Sequence, residues 1–312
     1  RAPRVRARAP VTTLAAIDVG TNSVRLYVAE VDGRNAKQLD RDLIITRLGE
    51  GVDKTRRLGP EPLKRTLDAI AGYHARAREL GATTIRIAAT SAARDATNRD
   101  EFFDGVRTAT GQDAEVLTGD EEARLSFLGA TSDLGPGGPF LVLDIGGGST
   151  EFVVGERSVD GAISLDVGSV RLTERHIHHD PPAQAELVDV RADAATAVQE
   201  AQRTVGSAAA TLVGVAGTIT TIAAVSLGLD GYDRDAIHHA LLTRSDVEEV
   251  TDRLASMTSE ERRSLPAMPR GREDVIVAGA EILLAVMDGF GLGNVLVSEA
   301  DILDGLVLTI ER

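Results

Sequence analysis

The sequence predicts an α/β protein built as two similar lobes around a central cleft, and three observations carry that prediction. The first is a long-range echo. Ala15-Ala16-Ile17-Asp18-Val19-Gly20-Thr21-Asn22-Ser23 precedes an apolar stretch at 24–31, and Leu141-Val142-Leu143-Asp144-Ile145-Gly146-Gly147-Gly148-Ser149-Thr150 precedes Glu151-Phe152-Val153-Val154. Each copy reads as a buried strand ending in aspartate, a tight glycine and hydroxyl turn, and a second strand running back. The second observation is spacing: the two aspartates stand 126 residues apart (144 − 18), about one domain, in a chain of 312 residues that suits two. The third is the run Gly135-Pro136-Gly137-Gly138-Pro139, which continues neither helix nor strand ladder and marks a boundary between alternating strand and helix patterns.

The expected divisions are a disordered basic tail over 1–12, a first lobe over 13–136, a second lobe over 137–300, and a C-terminal helix over 301–312 packed back on the first lobe. The tail is expected because four of the first ten residues are arginine and no apolar period runs through them. In the first lobe, Leu63, Leu67, Ile70 and Ala77 share a helical face between Pro60 and Leu80, with Gly81 just beyond. A strand follows at Thr84 to Ala89, then a helix opened by the capping-box pair Asn98 and Glu101. In the second lobe, Thr211 to Gly217 reads as strand then turn, Arg272 to Met287 as helix, Asn294 to Ser298 as strand and Asp301 to Glu311 as a last helix.

Composition narrows the function. Hydrophobic residues make up 43% and charged residues 26%, ordinary for a globular chain. No apolar run is long enough to cross a bilayer and the Arg/Pro-rich start lacks a signal-peptide core, so a cytoplasmic protein without membrane contact is expected. Zero cysteines exclude disulfides, thiolate metal sites and a thiol nucleophile. A net charge of −14 argues against nucleic acid as a partner, since that binding needs a basic face. A phosphate-rich ligand then requires arginines gathered locally, where field rather than net charge steers it.

A strand that delivers aspartate into a glycine turn sets a carboxylate beside a row of backbone N–H groups. Such a turn cradles phosphate while the carboxylate holds a hard cation, directly or through water. The candidate phosphate residues are therefore Gly20, Thr21, Asn22 and Ser23 in one copy and Gly146, Gly147, Gly148, Ser149 and Thr150 in the other, with Asp18 and Asp144 as metal candidates. Either copy alone reads as an ordinary hairpin; the pairing carries the argument. No P-loop is present, and Gly289, Gly291 and Gly293 follow a helix instead of opening one. Thr118 and Glu121 have capping-box spacing, which leaves Glu122, about 100° further round, free to face the cleft. Arg94 follows a strand, where a guanidinium fork meets phosphate or simply faces solvent. Gly217 and Thr218 open an apolar helical segment, whose amides take an anion or merely cap. His176, His178, His179, His238 and His239 assemble no convincing centre, and no Ser/His/Asp pattern is present.

These residues resemble the exopolyphosphatase and guanosine pentaphosphate phosphohydrolase family of the actin, chaperone and sugar-kinase superfamily. The resemblance runs from about Leu14 to the C-terminus. It rests on Asp18-Val-Gly-Thr-Asn-Ser23, Thr90-Ser-Ala-Ala-Arg94, Thr118-Gly-Asp-Glu-Glu-Ala-Arg124, Asp144-Ile-Gly-Gly-Gly-Ser-Thr-Glu151 and Gly214-Val-Ala-Gly-Thr218. It implies two actin-like (ribonuclease H-like) lobes, Glu122 as the catalytic carboxylate, Asp144 as a ligand of magnesium (or manganese), Glu151 as a helper near the attacking water, and Arg94 as a phosphate contact. It also implies a homodimer. Thr21 stands where many members have serine, which keeps the hydroxyl. Longer members add a C-terminal helical region that helps grip long polymer and that the sequence to Arg312 does not show, so the resemblance leaves processive attack on long polymer open.

The expected activity is metal-assisted in-line attack of water on the terminal phosphorus of inorganic polyphosphate, or of a guanosine pentaphosphate (pppGpp), with lobe closure about 135–139. The rivals are a small-molecule kinase of the same fold and an actin-like module that senses nucleotide without turning it over.

Overall fold

The structure is a computed structural model that describes residues 11–32, 35–135, 137–207 and 211–310. The first ten residues of the expected tail, Pro136 in the boundary run and the last two residues lie outside the described residues. The first half runs β1 (Thr12–Val19), β2 (Ser23–Asp32), β3 (Asn35–Ile45), α1 (Val52–Thr55), α2 (Pro60–Glu79), β4 (Thr84–Ala89), α3 (Ser91–Asp95), α4 (Arg99–Thr110), β5 (Glu115–Val116) and α5 (Gly119–Ala130). The second half opens with β6 (Phe140–Ile145), β7 (Thr150–Gly155), β8 (Val159–Leu165), α6 (Ser169–His176), α7 (Gln184–Val205), β9 (Thr211–Val215) and α8 (Ala216–Ser226). It closes with α9 (Arg234–Ile237), β10 (Leu241–Thr243), α10 (Arg244–Ser256), α11 (Ser259–Arg263), α12 (Ile276–Phe290), β11 (Asn294–Val297) and α13 (Ile302–Leu308). No described helix is long and apolar enough to cross a membrane.

Two sheets form two α/β lobes. Their strand orders are β3-β2-β1-β4-β5 and β10-β11-β9-β6-β7-β8. The internal echo therefore extends to topology. In each lobe an antiparallel three-strand meander leads, and the next strand joins parallel on the far side of the first: β4 beside β1, β9 beside β6.

The leading strands are apolar nearly throughout because both of their faces are covered, as the two-residue period of a strand requires. Ala15, Ile17 and Val19 of β1 point into the core with α2 and α4, while Leu14 and Ala16 point at α13. Leu141, Leu143 and Ile145 of β6 join the large second-lobe core, while Phe140 and Val142 meet Ala123 and Phe127 of α5. The bridging helices are thus exchanged: α5, from the first half of the chain, covers the second sheet, and α13, from the end, covers the first. They cross with backbones in contact. A Cβ at Gly129 would stand 1.8 Å from Asp301 O, and one at Gly305 would stand 2.1 Å from Leu125 O, so only glycine fits at either position.

Three local expectations change. Asn98 does not cap α4 with its side chain; it accepts from Leu58 N–H (2.8 Å) and donates to Leu58 O (3.1 Å), bracing the loop before α2. The helix expected from Arg272 begins at Ile276, because Pro269 and the left-handed Gly271 (φ 87) form turns first. The last helix covers Ile302–Leu308 instead of reaching 311, with Asp301 as its N-cap.

Candidate active site

Each aspartate sits one residue before its strand ends, and each turn closes alike: Gly20 N–H donates to Ser23 O (2.9 Å) and Gly146 N–H to Ser149 O (3.0 Å). The turns abut across the cleft. Thr21 and Ser91 share a 2.6 Å hydroxyl hydrogen bond, and a Cβ on Gly148 would lie 2.5 Å from Ser91 Oγ and 2.7 Å from Thr21 Oγ1. Between the turns lies a cavity of about 80 Å³. Asp18, Gly20, Thr21, Asn22, Ser23, Glu122, Asp144, Gly146, Gly147, Ser149, Gly217 and Thr218 line it, together with Arg25, Ser91, Ala216 and Arg272. Ala216 holds the left-handed region at φ 67, a strained conformation for a residue with a side chain.

Glu121 and Glu122 part as helical geometry requires. Thr118 Oγ1 accepts from Glu121 N–H (3.2 Å) while Glu121 Oε2 accepts from Thr118 N–H (2.8 Å), so the capping box is complete and Glu121 stays exposed. Glu122, only 7% exposed, enters the cavity and accepts from Arg94 at 3.0 Å. Burial pushes its carboxyl up to about 8 against the opposing Arg94 charge, and Asp144 and Asp18 push further. Asp144 is pushed up to about 6 by burial, opposed by Ser126 Oγ, which donates to Oδ2 at 2.6 Å, and by Arg25. Burial likewise raises Asp18, although Arg25 donates to its Oδ2 through Nε (2.9 Å) and Nη2 (2.7 Å).

Four predicted residues lie behind the wall. Arg94 is spent on Glu122 and on Leu117 O (3.0 Å), so it orients the carboxylate instead of reaching the cavity. Glu151, directly opposite Asp144 in the β6/β7 register, accepts from Ser164 Oγ (2.7 Å). Burial, then the charges of Glu122 and Asp144, raise its carboxyl well above the usual range. Gly148 turns its carbonyl away to Arg171 (2.7 Å), and Thr150 donates its hydroxyl to Val167 O (2.6 Å), tying the turn down. The histidines lie elsewhere. His238 Nδ1 accepts from Glu299 N–H (3.1 Å), so Nε2 keeps its proton and donates to Asp133 (2.8 Å); beside His239 this trio is a hydrogen-bonded surface cluster with no free imidazole lone pair on His238.

Sequence reasoning missed Arg25, Arg272, Asp301 and Ser126. Arg25 joins Asp18 to Asp301, the N-cap of α13, and so ties the ends of the chain together at the cavity. Arg272 donates to Gly217 O (2.8 Å) and Thr221 Oγ1 (2.9 Å), both uncharged, and leaves its positive charge on the cavity wall. The signal available for Arg25 was the repeat itself, since it holds the place that Glu151 holds in the other copy. Nothing local marked Arg272. A wider chamber of about 410 Å³ shares Arg25, Ala216, Gly217 and Arg272 with the cavity and is walled by Arg41, Arg234, Tyr232, Met268 and Pro269.

The residues fit a divalent cation. Asp18, Asp144 and Glu122 line the cavity, without all their ligand oxygens lying within 4.8 Å of one another, and Asp18 Oδ1 is a buried carboxylate oxygen that makes no hydrogen bond. A buried orphan acceptor beside further carboxylates is costly without a cation, and an all-oxygen donor set suits a hard one.

A two-lobed α/β protein with paired glycine turns, a buried acid cluster and arginines around one interlobe cavity is built to hold a phosphoryl group. The sequence profile of the Ppx/GppA phosphatase family matches residues 27–312, and the chain belongs to that family. Exopolyphosphatase 2 of Mycobacterium tuberculosis is 44% identical over 96% of this chain and 99% of its own length. The solved Ppx/GppA protein of Aquifex aeolicus superposes with a TM-score of 0.81 at 31% identity, covering 96% of this chain and 97% of that one. The guanosine-5'-triphosphate,3'-diphosphate pyrophosphatase of Photobacterium profundum is 28% identical over 96% of this chain and 60% of its own length.

Proposed function

We propose that this protein is an exopolyphosphatase that releases terminal phosphate from inorganic polyphosphate by in-line attack of water. The observation that carries the reading is Glu122: a buried carboxylate held by Arg94, raised toward neutrality, on a cavity wall between two phosphate-cradling turns. A general base works best with a pKa near the operating pH, and burial moves Glu122 in that direction. Amides and hydroxyls of Gly20–Ser23 and Gly146–Ser149 would hold the terminal phosphoryl group, and Arg25 and Arg272 would balance its charge. Asp18 and Asp144 would hold magnesium, or manganese, which when bound neutralises phosphoryl oxygens. Glu151, raised by burial and by the nearby charges of Glu122 and Asp144 and held by Ser164, would act as a helper behind the attacking water.

One observation favours pppGpp as a second substrate. The chamber next to the cavity is roomy and partly apolar, with Tyr232, Met268 and Pro269 to receive a base; its Arg41 and Arg234 are already paired with Asp301, Asp304 and Glu299, so the apolar wall carries this reading. The cysteine-free composition supports a cytoplasmic protein, and a homodimer would lengthen a polymer track; equilibrium sedimentation tests the latter. The deciding assay follows phosphate release from polyphosphate, pppGpp and ATP during a magnesium titration. Metal-dependent release from polyphosphate is expected. Release from none of the three would leave the nucleotide-sensing rival, and transfer to a small-molecule hydroxyl instead of water would leave the kinase rival.

A further inference from the structure

The Gly146–Ser149 turn is held from behind by α6. Ser169 N–H donates to Gly146 O (2.9 Å), and Val170 N–H (2.8 Å) and Arg171 N–H (3.0 Å) both donate to Gly147 O. The third carbonyl, Gly148 O, accepts from Arg171 Nε at 2.7 Å. In a trans peptide the carbonyl and N–H point opposite ways, so fixing three successive carbonyls on α6 turns the amides of Gly147, Gly148 and Ser149 away from it, toward the cavity side. Gly146 O also accepts from the Ser169 hydroxyl (3.2 Å), but Gly148 O is the one of the three held by a side chain, that of Arg171, without a backbone donor beside it.

That side chain also leaves its lobe. Arg171 is 6% exposed and belongs to the second lobe, yet its Nη1 donates to Asp53 of α1 and its Nη2 to Asp95 of α3 (2.5 Å), both in the first lobe. The seam around it is polar and follows the same path: Arg175 reaches Asp53 (3.2 Å), Glu174 accepts from Gly51 N–H (2.9 Å) and Arg56 lies 3.6 Å from Asp95. Asp95 ends the short helix that begins with Ser91, one of the residues lining the cavity. A planar guanidinium with its donors in fixed directions serves all three acceptors only while the lobes hold this arrangement.

We infer that Arg171 is a positioning residue that couples closure of the two lobes to the readiness of the second phosphate turn. When the lobes part, Asp53 and Asp95 withdraw, the guanidinium is free to follow them or turn to solvent, and the Gly148–Ser149 peptide loses the bond that aims its amide. With the lobes together the turn is complete before substrate arrives. The inference rests on the hydrolase reading above for its kinetic consequence, but its geometric part stands alone.

The two halves of the clamp separate by mutation. Asp53→Asn/Asp95→Asn removes the cross-lobe charges but leaves an Arg171 that can still hold Gly148 whenever the lobes are together; Arg171→Met removes both. In the double variant KM should rise about tenfold with kcat changed little, because a smaller closed fraction weakens apparent binding in proportion. Arg171→Met should add a fall in kcat of about tenfold or more as the turn loses its aim. The chain has no cysteine, so spin labels at Glu79→Cys and Glu200→Cys, exposed on opposite lobes, read the interlobe distance directly. A broadened distance distribution in the double variant is expected, with and without tripolyphosphate. Lower melting temperatures with KM, kcat and the distance distribution unmoved would make Arg171 merely structural and overturn the inference. Wild type that releases no phosphate from polyphosphate or pppGpp would sink the functional reading instead, while the label distances would still decide the clamp.

Discussion

The two glycine turns share a backbone and differ in charge at one register position. Seven residues after each aspartate, and directly across the hairpin from it, stands Arg25 in the first lobe and Glu151 in the second. Arg25 neutralises Asp18 through two hydrogen bonds and carries on to Asp301. Glu151 does the reverse for Asp144, whose relief comes first from a neutral hydroxyl, Ser126, on the exchanged helix α5 and then from the more distant charge of Arg25. A symmetric fold thereby gives an asymmetric site: the first aspartate has a guanidinium across its hairpin, though its Oδ1 stays without a partner, whereas the second faces a glutamate and, with Glu122 beside it, is rich in buried acid. The difference teaches where chemistry belongs. In the proposed mechanism a phosphate would meet amides of both turns, with Arg25 beside the first aspartate and the proposed base, Glu122, beside the second.

The largest expected effect tests the acid-rich side. Glu122→Gln should keep the fold and lower kcat by roughly two to four orders of magnitude, as loss of a general base does. Near-normal turnover in the folded variant would remove Glu122 from the mechanism. Its titration gives a second measurement. The folded protein raises this carboxyl from 4.5 to about 8, so the stability it contributes is present below about 4.5 and is lost as pH rises through about 8. In chelator, wild type should therefore lose melting temperature relative to Glu122→Gln as pH climbs from about 5 to about 9. A difference between the two that stays constant with pH would contradict the burial argument.

Next in size is the direct comparison of the turns. Asp144→Asn keeps the shape and removes a charge that has no basic partner across the hairpin, so activity should fall steeply and the magnesium midpoint should move to higher concentration. Asp18→Asn leaves Arg25 still paired with Asp301, and its magnesium shift should be milder. Magnesium titrations of both variants beside melting curves decide the matter. An unchanged midpoint in a destabilised Asp144→Asn would make that aspartate a cap of its own turn; a larger shift for Asp18→Asn would reverse the asymmetry drawn here.

Much of this arrangement was legible because it is local or repeated. The strand-turn-strand echo, the Thr118 and Glu121 capping box and the cleft-facing side of Glu122 all follow from short-range geometry, and β4 covers the predicted Thr84–Ala89. What was not legible depends on the exchange of α5 and α13. That Asp144 meets Ser126 and Arg25 meets Asp301 follows from which sheet each helix covers, and no period within either helix encodes that choice. Arg272 was hidden for a related reason. Its strand-like and helix-like neighbours suggested a helix start, but Gly271 in the left-handed region swings it back over Gly217, where a Cβ would lie 2.0 Å from its guanidinium. For Arg94 the place after a strand allows either solvent or phosphate and the family resemblance implies a phosphate contact; its partner Glu122 at 3.0 Å depends on how α5 packs, which no local pattern encodes.

The smallest expected effect is the sharpest control on the acid-rich side, because it concerns the neighbour of the catalytic candidate. Glu121 is exposed, and its carboxyl is held below the usual range first by the Thr118 N–H and then by the Thr118 hydroxyl. Glu121→Gln retains an oxygen that accepts from Thr118 and loses only the charge near the α5 N-terminus. A cost of about 1 kcal/mol or less is expected, the scale of a helix cap. The sign with pH is opposite to that of Glu122: a lowered folded pKa contributes stability above about 4.5 that is lost as pH falls, so the wild-type advantage over Glu121→Gln should shrink in acid. Turnover should remain largely intact, since Glu121 does not line the cavity. If Glu121→Gln instead lost more activity than Glu122→Gln, the face of α5 that meets substrate would be the wrong one, and the asymmetry between the two turns would lose its base.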